Sequence, residues 1–298
     1  MSLRTLILAA LVLCAVGLFA RLWASVRETL GRGGPSEPGD ALRMPRAIHV
    51  AIGFLTNFFD TLGIGSFATT TTLFRLFGLV PDERIPGTML AGHALPMIVQ
   101  VVLFIGVVDV DASMLALLIG GCVLGGWLGA GVVAGLPRRS IQLAMGAALV
   151  AAAVFMAMAN LGAFPGAGTA LVLTGSRLAI ALACNIAFGA LLTIGIGNYG
   201  PSLVLFSLLG MEPRAAFPIM MGSGGFVAML AGIRFVGRRR YHLQAALGLT
   251  IGGLPGVLVA ALVVKSLPLD LLRWVVVAVV LYTAVTLIRG RVRDESRP

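Results

Sequence analysis

A chain of 298 residues in which 58% are hydrophobic, only 11% are charged and mean hydropathy is +1.01 is too apolar for a soluble domain, where charged residues make up roughly 25%. Its net charge of +10 comes from 21 Arg and one Lys against 12 acids. Those cations stand between apolar runs, which argues against a nucleic-acid-binding face and reads as membrane topology.

In chain order, the first apolar run is Thr5 to Ala20, between Arg4 and Arg21. Its length also suits a signal peptide, but no small-x-small cleavage site follows, so a retained first helix is expected. Residues 26 to 46 carry Arg27, Arg32, Pro35, Pro38, Arg43 and Arg46 and read as a polar linker. Residues 1–46 are thus an N-terminal helix and linker ahead of the main body.

The body is a duplication. Asp60-Thr61-Leu62-Gly63-Ile64-Gly65-Ser66-Phe67 returns 132 positions later as Leu192-Thr193-Ile194-Gly195-Ile196-Gly197-Asn198-Tyr199. The same offset pairs Leu73 with Leu205, Phe74 with Phe206, Gly78 with Gly210, Pro81 with Pro213, Pro86 with Pro218 and Gly92 with Gly224. Each copy predicts an apolar helix (Ala47 to Thr61; Leu178 to Thr193), a Gly-x-Gly break and a short helix to Gly78 or Gly210. A Pro-flanked turn and a longer helix follow (Gly87 to Ile105; Ile219 to Phe235). Two further helices close each half: Ala112 to Gly135 with Ser140 to Leu161, and Leu243 to Val264 with Leu269 to Ile288. Glycine recurs every four residues at Gly121, Gly125 and Gly129, and at Gly248, Gly252 and Gly256, a spacing for close helix packing.

Arginine in the linker, at Arg138-Arg139, at Arg238-Arg239-Arg240 and in the tail marks cytoplasmic loops. Asp109 and Asp111, the uncharged Ala163 to Gly175 segment and the Lys265 to Asp270 turn are expected outside. These assignments agree only if 47–79 and 179–211 each return to their starting side. The expected fold is therefore all-α: a polytopic membrane protein with two inverted repeats. Each repeat holds a glycine-broken helical hairpin plus three spanning helices, and one extra N-terminal helix precedes them. The repeats cover 47–163 and 177–289, and 290–298 form a basic cytoplasmic tail. Arms of about 14 to 16 residues fall short of the roughly 20 a span needs. Re-entrant hairpins and thin tilted spans both remain open, with tips meeting near mid-membrane preferred.

Paired broken helices in a membrane protein point to a substrate site. A helix restarting in lipid leaves amide N–H groups unpaired and carries a partial positive charge. Ser66 and Asn198 stand at the N-cap positions of the restarts. Candidate substrate-binding residues are Asn57, Thr61, Gly63, Gly65, Ser66, Thr69, Thr193, Gly195, Gly197, Asn198, Ser202 and Ser223. The competing reading is that these glycines serve packing and the hydroxyls bond neighbouring carbonyls. Asp60, the one acid well inside an apolar run, and His93 are candidates for coupling or gating. Each has a structural alternative, a cap for Asp60 and a satisfied core histidine for His93. Cys14, Cys122 and Cys184 lie in apolar stretches without metal-ligand spacing. No metal or cofactor is expected, and no nucleic-acid partner; the expected partners are the bilayer and a small anion.

The two Gly-Ile-Gly hairpins, the Pro-x(4)-Pro turns at Pro81/Pro86 and Pro213/Pro218, and the stretches Gly125-Gly126-Trp127-Leu128-Gly129 and Gly252-Gly253-Leu254-Pro255-Gly256 resemble the TauE/SafE sulfite-exporter family. The resemblance covers about residues 47 to 289. It implies an inner-membrane permease for sulfite or small organosulfur anions such as sulfoacetate. Asp60 opposite Leu192 and His93 opposite Gly225 break the symmetry. With no GxxxxGK[ST] sequence, ATP is not expected to drive transport directly. HExxH and a serviceable GxSxG are also absent, so an enzyme is not expected. A passive small-anion channel and a carrier for a non-sulfur anion are the alternatives.

Overall fold

The computed structural model describes residues 3–31, 43–62, 65–105, 110–163, 168–195 and 197–263, with helical residues at 274, 277, 278, 281, 284, 285 and 288. Ten α-helices occupy the described residues: α1 Leu3–Gly31, α2 Ala47–Thr61, α3 Phe67–Leu76, α4 Ile85–Ile105, α5 Ala112–Val133, α6 Arg138–Asn160, α7 Gly175–Leu192, α8 Tyr199–Leu208, α9 Pro213–Gly237 and α10 Leu243–Val263. Six of them, α1, α4, α5, α7, α9 and α10, are long and apolar enough to cross a membrane. Large apolar side chains such as Leu13, Leu124, Leu128 and Leu262 point outward. In water such a surface would aggregate; facing lipid it is the expected exterior. This is a helical membrane protein.

The helices begin and end close to where the sequence places them, with informative exceptions. Helix α1 runs through Ala20 to Gly31, so the linker's first residues are helical. Polar residues by themselves do not stop a helix, and Gly33, Gly34 and Pro35 lie outside the described residues. Within the added turns Glu28 accepts from Arg21 at 3.3 Å and from Arg239 at 3.1 Å, tying α1 to the end of α9. Helix α9 begins at Pro213 and takes Pro218 inside it, so the second proline pair does not flank a turn. The predicted Leu269 to Ile288 helix and the tail lie mostly outside the described residues.

Helices α3 and α8 end alike. In α3, Leu79 N–H donates to Phe74 O at 2.9 Å and Gly78 N–H to Arg75 O at 3.2 Å; in α8, Met211 donates to Phe206 at 2.9 Å and Gly210 to Ser207 at 3.0 Å. Both are Schellman closures with a left-handed glycine, φ 59° and 82°.

Packing is symmetric under exchange of the halves. Helix α2 lies along α10, α7 lies along α5, and α4 and α9 face each other at the centre, buried along most of their lengths. The glycine stripes make the two peripheral pairs close. A Cβ on Gly125 would strike the Ile186 carbonyl, and one on Gly252 the Val50 carbonyl. The facing surfaces reciprocate: Gly189 sits against Cys122, and Gly53 against Leu249. With lipid as apolar as any side chain, such contact packing drives helix association.

Contacts at the helix ends show how the short pairs run. The start of α2 meets the starts of α4 and α10: the His49 and His242 rings are 6.0 Å apart, and His242 N–H donates to Thr88 Oγ1 at 2.9 Å. At the other end of the bundle, the segment before α7 meets the end of α8. Ala170 N–H donates to Gly210 O at 3.1 Å, and Glu212 N–H to Ala170 O at 2.9 Å. Leu173 N–H, in the same segment, donates to Met114 Sδ at the start of α5, at 3.2 Å. Each hairpin therefore returns to the end of the bundle from which it began.

Candidate functional site

The two breaks meet. One cleft is lined by Asp60, Gly65, Ser66 and Phe67 from the first half and by Gly197 and Asn198 from the second. Its remaining walls are Met97 and Gln100 of α4 and Met220, Met221 and Gly224 of α9. The space is narrow, with free room for about one water molecule.

The chain turns at the first break through Gly65 at φ 87° and at the second through Gly195 at φ 93°. Residues other than glycine rarely adopt this left-handed backbone. These are different members of the two Gly-x-Gly pairs, since the repeat partner of Gly65 is Gly197. Gly63, the partner of Gly195, lies outside the described residues. The breaks are alike in kind and different in detail.

Both restarting helices are ten residues long. Ser66 and Asn198 occupy the N-cap positions as expected, yet neither side chain makes a capping bond. The side chain of Asp60 reaches across the break instead: its Oδ1 accepts the Ser66 N–H at 2.7 Å. A carboxylate on the first amides of a helix is placed where the dipole favours it. Asp60 is 2% exposed. Its Oδ2 has no partner at hydrogen-bond geometry, although the Gln100 amide and Ser66 hydroxyl stand beside the carboxylate. At the second restart Pro201 occupies the third helical position and removes one amide donor.

The sequence-derived candidates divide around this cleft. Asp60, Gly65, Ser66, Gly197 and Asn198 line it. The others do not. Thr61 Oγ1 donates to Asn57 O at 2.8 Å, Thr69 Oγ1 to Ser66 O at 2.8 Å and Thr193 Oγ1 to Ala190 O at 2.6 Å. For these three hydroxyls the competing reading, bonding to nearby carbonyls, describes what is seen. Gly195 is packed beside Met89. Ser202 is buried with a hydroxyl that finds no partner, Ser223 is buried with its hydroxyl beside the Cys122 thiol, and neither lines the cleft.

His93 lies deeper in the core. Asn57 Nδ2 is 2.9 Å from its Nδ1, Thr70 Oγ1 is 3.0 Å from its Nε2, and Phe67 packs beside the ring. Asn57 also donates to Gly53 O at 2.8 Å. The histidine thus joins α2, α3 and α4 through closed hydrogen bonds and leaves no ring nitrogen free for a ligand.

No family model, curated protein or solved structure matches the chain. What the site does is therefore argued from its own residues.

Gln100 is the residue the sequence reading passed over. It is 1% exposed, and its Nε2 donates to Thr61 Oγ1 at 2.9 Å while Oε1 stands without a partner. Its signal was available: seven residues beyond His93 it shares that helix face, inside an otherwise apolar run. Arg75, the cation nearest this hairpin in sequence, is held in an ion pair with Asp82.

Proposed function

We propose that the chain is a secondary transporter of small sulfur-containing anions, sulfite or an organosulfonate such as sulfoacetate, working by alternating access in an inner membrane. The observation that carries this reading is the convergence of both broken segments on one buried cleft that also holds Asp60, Ser66, Gln100 and Asn198. Irregular backbone at that depth is tolerated where it lines a cavity, and in transporters such breaks form the substrate site at the repeat interface. The exchange-symmetric packing, with hairpins opening toward opposite ends, supports two inverted repeats around a central α4–α9 pair. The arginines at the α9–α10 turn support assigning that end to the cytoplasm. The choice of a sulfur anion rests on the resemblance to the TauE/SafE family and on the restarting helix ends, which favour anions.

A cleft with room for about one water is closed to a sulfonate, so substrate entry requires the walls to part. In this reading a hairpin shifts against the central helices and exposes the tips to one side at a time. The test is uptake into proteoliposomes, offering sulfite, sulfoacetate, sulfate and a carboxylate analogue to wild type and to Asp60→Asn. Uptake of a sulfur anion, stimulated by preloading the same anion inside, is the expected result. Movement of the carboxylate alone would remove the sulfur assignment, and flux indifferent to preloading would make the protein a pore.

A further inference from the structure

The orientation of the side chains in the cleft points to a second ligand of opposite charge. Asn198 donates its Nδ2 to Met220 O at 3.1 Å, which turns Oδ1 toward Gly224, 3.8 Å from where a Cβ on that glycine would stand. Gln100 is fixed in the same sense, its amide nitrogen donating to Thr61 and its Oε1 left over. Asp60 spends Oδ1 on the Ser66 amide, and its Oδ2 closes no hydrogen bond at proper geometry although the Ser66 hydroxyl and the Gln100 amide stand beside the carboxylate. Asp60, Ser66 and Gln100 are each at most 2% exposed. These four residues line one small cleft, and each keeps an oxygen outside any closed hydrogen bond, three of the four able only to accept, a set that suits a positive centre.

We propose that the cleft binds a sodium ion between Asp60, Ser66, Gln100 and Asn198, one pair from the first break, one residue from α4 and one from the second break. Carboxylate, carbonyl and hydroxyl oxygens are the ligands of hard cations, and the neighbouring methionine thioethers are not. One carboxylate matches one positive charge, so the filled site is neutral, which matters where an uncompensated charge is costly. Asp60 also sits in the last turn of α2, whose carbonyl end favours a cation. A proton on Asp60 would satisfy that carboxylate and one acceptor; an ion at the centre serves all four oxygens. The cleft is the size for it and too small for a hydrated divalent ion.

The binding site stands on this geometry alone, whereas its role as the driving ion rests on the transport reading. Because the ligands come from both broken segments, sodium would draw the tips together and complete the anion site from the cation side.

The experiment is thermal unfolding of the full-length protein in nanodiscs, in sodium, potassium or choline chloride at equal concentration. Sodium should raise the melting temperature saturably, by about 5 °C when the site is filled, and the other two cations should not. Asp60→Asn and Gln100→Leu should each abolish the shift, while Cys184→Ser, outside the cleft, should keep it. An equal response to all three salts overturns the proposal. So does a shift that survives in both cleft variants, or one that follows pH and ignores sodium. A retained sodium shift without anion uptake would sink the transport reading and leave the site standing; anion uptake with no sodium shift would do the reverse.

Discussion

The buried polar side chains fall into two sets according to whether their hydrogen bonds close. His93, Asn57, Thr70, Thr61 and Thr69 bond one another or nearby carbonyls, whereas Asp60, Ser66 and Gln100 keep an atom open beside the cleft. The first set is construction, and the second is the set that the proposed ligand would meet. His93→Leu should therefore leave Asn57 and Thr70 with unmet groups in the core, at about 1–3 kcal/mol each. The expected outcome is a lowered melting temperature with the sodium shift and the pH profile of uptake unchanged; a displaced pH profile would return His93 to the coupling machinery. Asp60 was legible in the sequence because a carboxylate stands out inside an apolar run, and the structural alternative, a cap, is seen in its bond to the Ser66 amide. Gln100 was not, because it is neutral, stands 35 positions beyond Gly65, and faces Gly232 in the repeat, so no pattern drew attention to it. The hydroxyls beside the glycines were over-read for the opposite reason: they cluster in sequence, but on a helix a threonine can satisfy itself with the preceding turn's carbonyl.

Among the elements, the broken helices and the glycine stripes were both readable, the first from a repeated Gly-x-Gly and the second from a four-residue period. What the period could not tell was the identity of the opposing helix, since a smooth stripe accepts any close neighbour. The structure pairs each stripe with the broken helix of the other half. Gly125→Val and Gly252→Val should then force α5 from α7 and α10 from α2, because the added atoms meet backbone that has no rotamer to give. Each change should sharply reduce the yield of monodisperse protein in size-exclusion chromatography, whereas Gly120→Val, where a Cβ meets nothing within 4 Å, should be tolerated. Near-normal yield from both stripe variants would refute the packing. The second hairpin's entering arm was expected to be as short as the first, but α7 has 18 residues against 15 for α2. The matching pattern begins at Leu178, and the extra turn at Gly175 has no counterpart in the first copy to reveal it.

At the scale of the molecule, the offset of 132 made the duplication plain, and the arginine count gave a topology, but neither said how the halves embrace. Cysteines placed at Arg239 and at Glu212 check the orientation: a membrane-impermeant maleimide should label Glu212→Cys from outside intact cells and reach Arg239→Cys only after the membrane is opened. Labelling of both from outside would dismiss the inverted arrangement. The exchange-symmetric packing carries a consequence for biosynthesis. Helix α2 emerges from the ribosome early, yet the surface it belongs against, α10, is made almost last, with some 180 residues between them. Until then the face of α2 that carries His49, Val50 and Phe54 lacks the glycine stripe it packs against. Every residue that lines the cleft has been made by Gly224, so a chain truncated before α10 carries the whole lining and lacks only the helix that packs along α2.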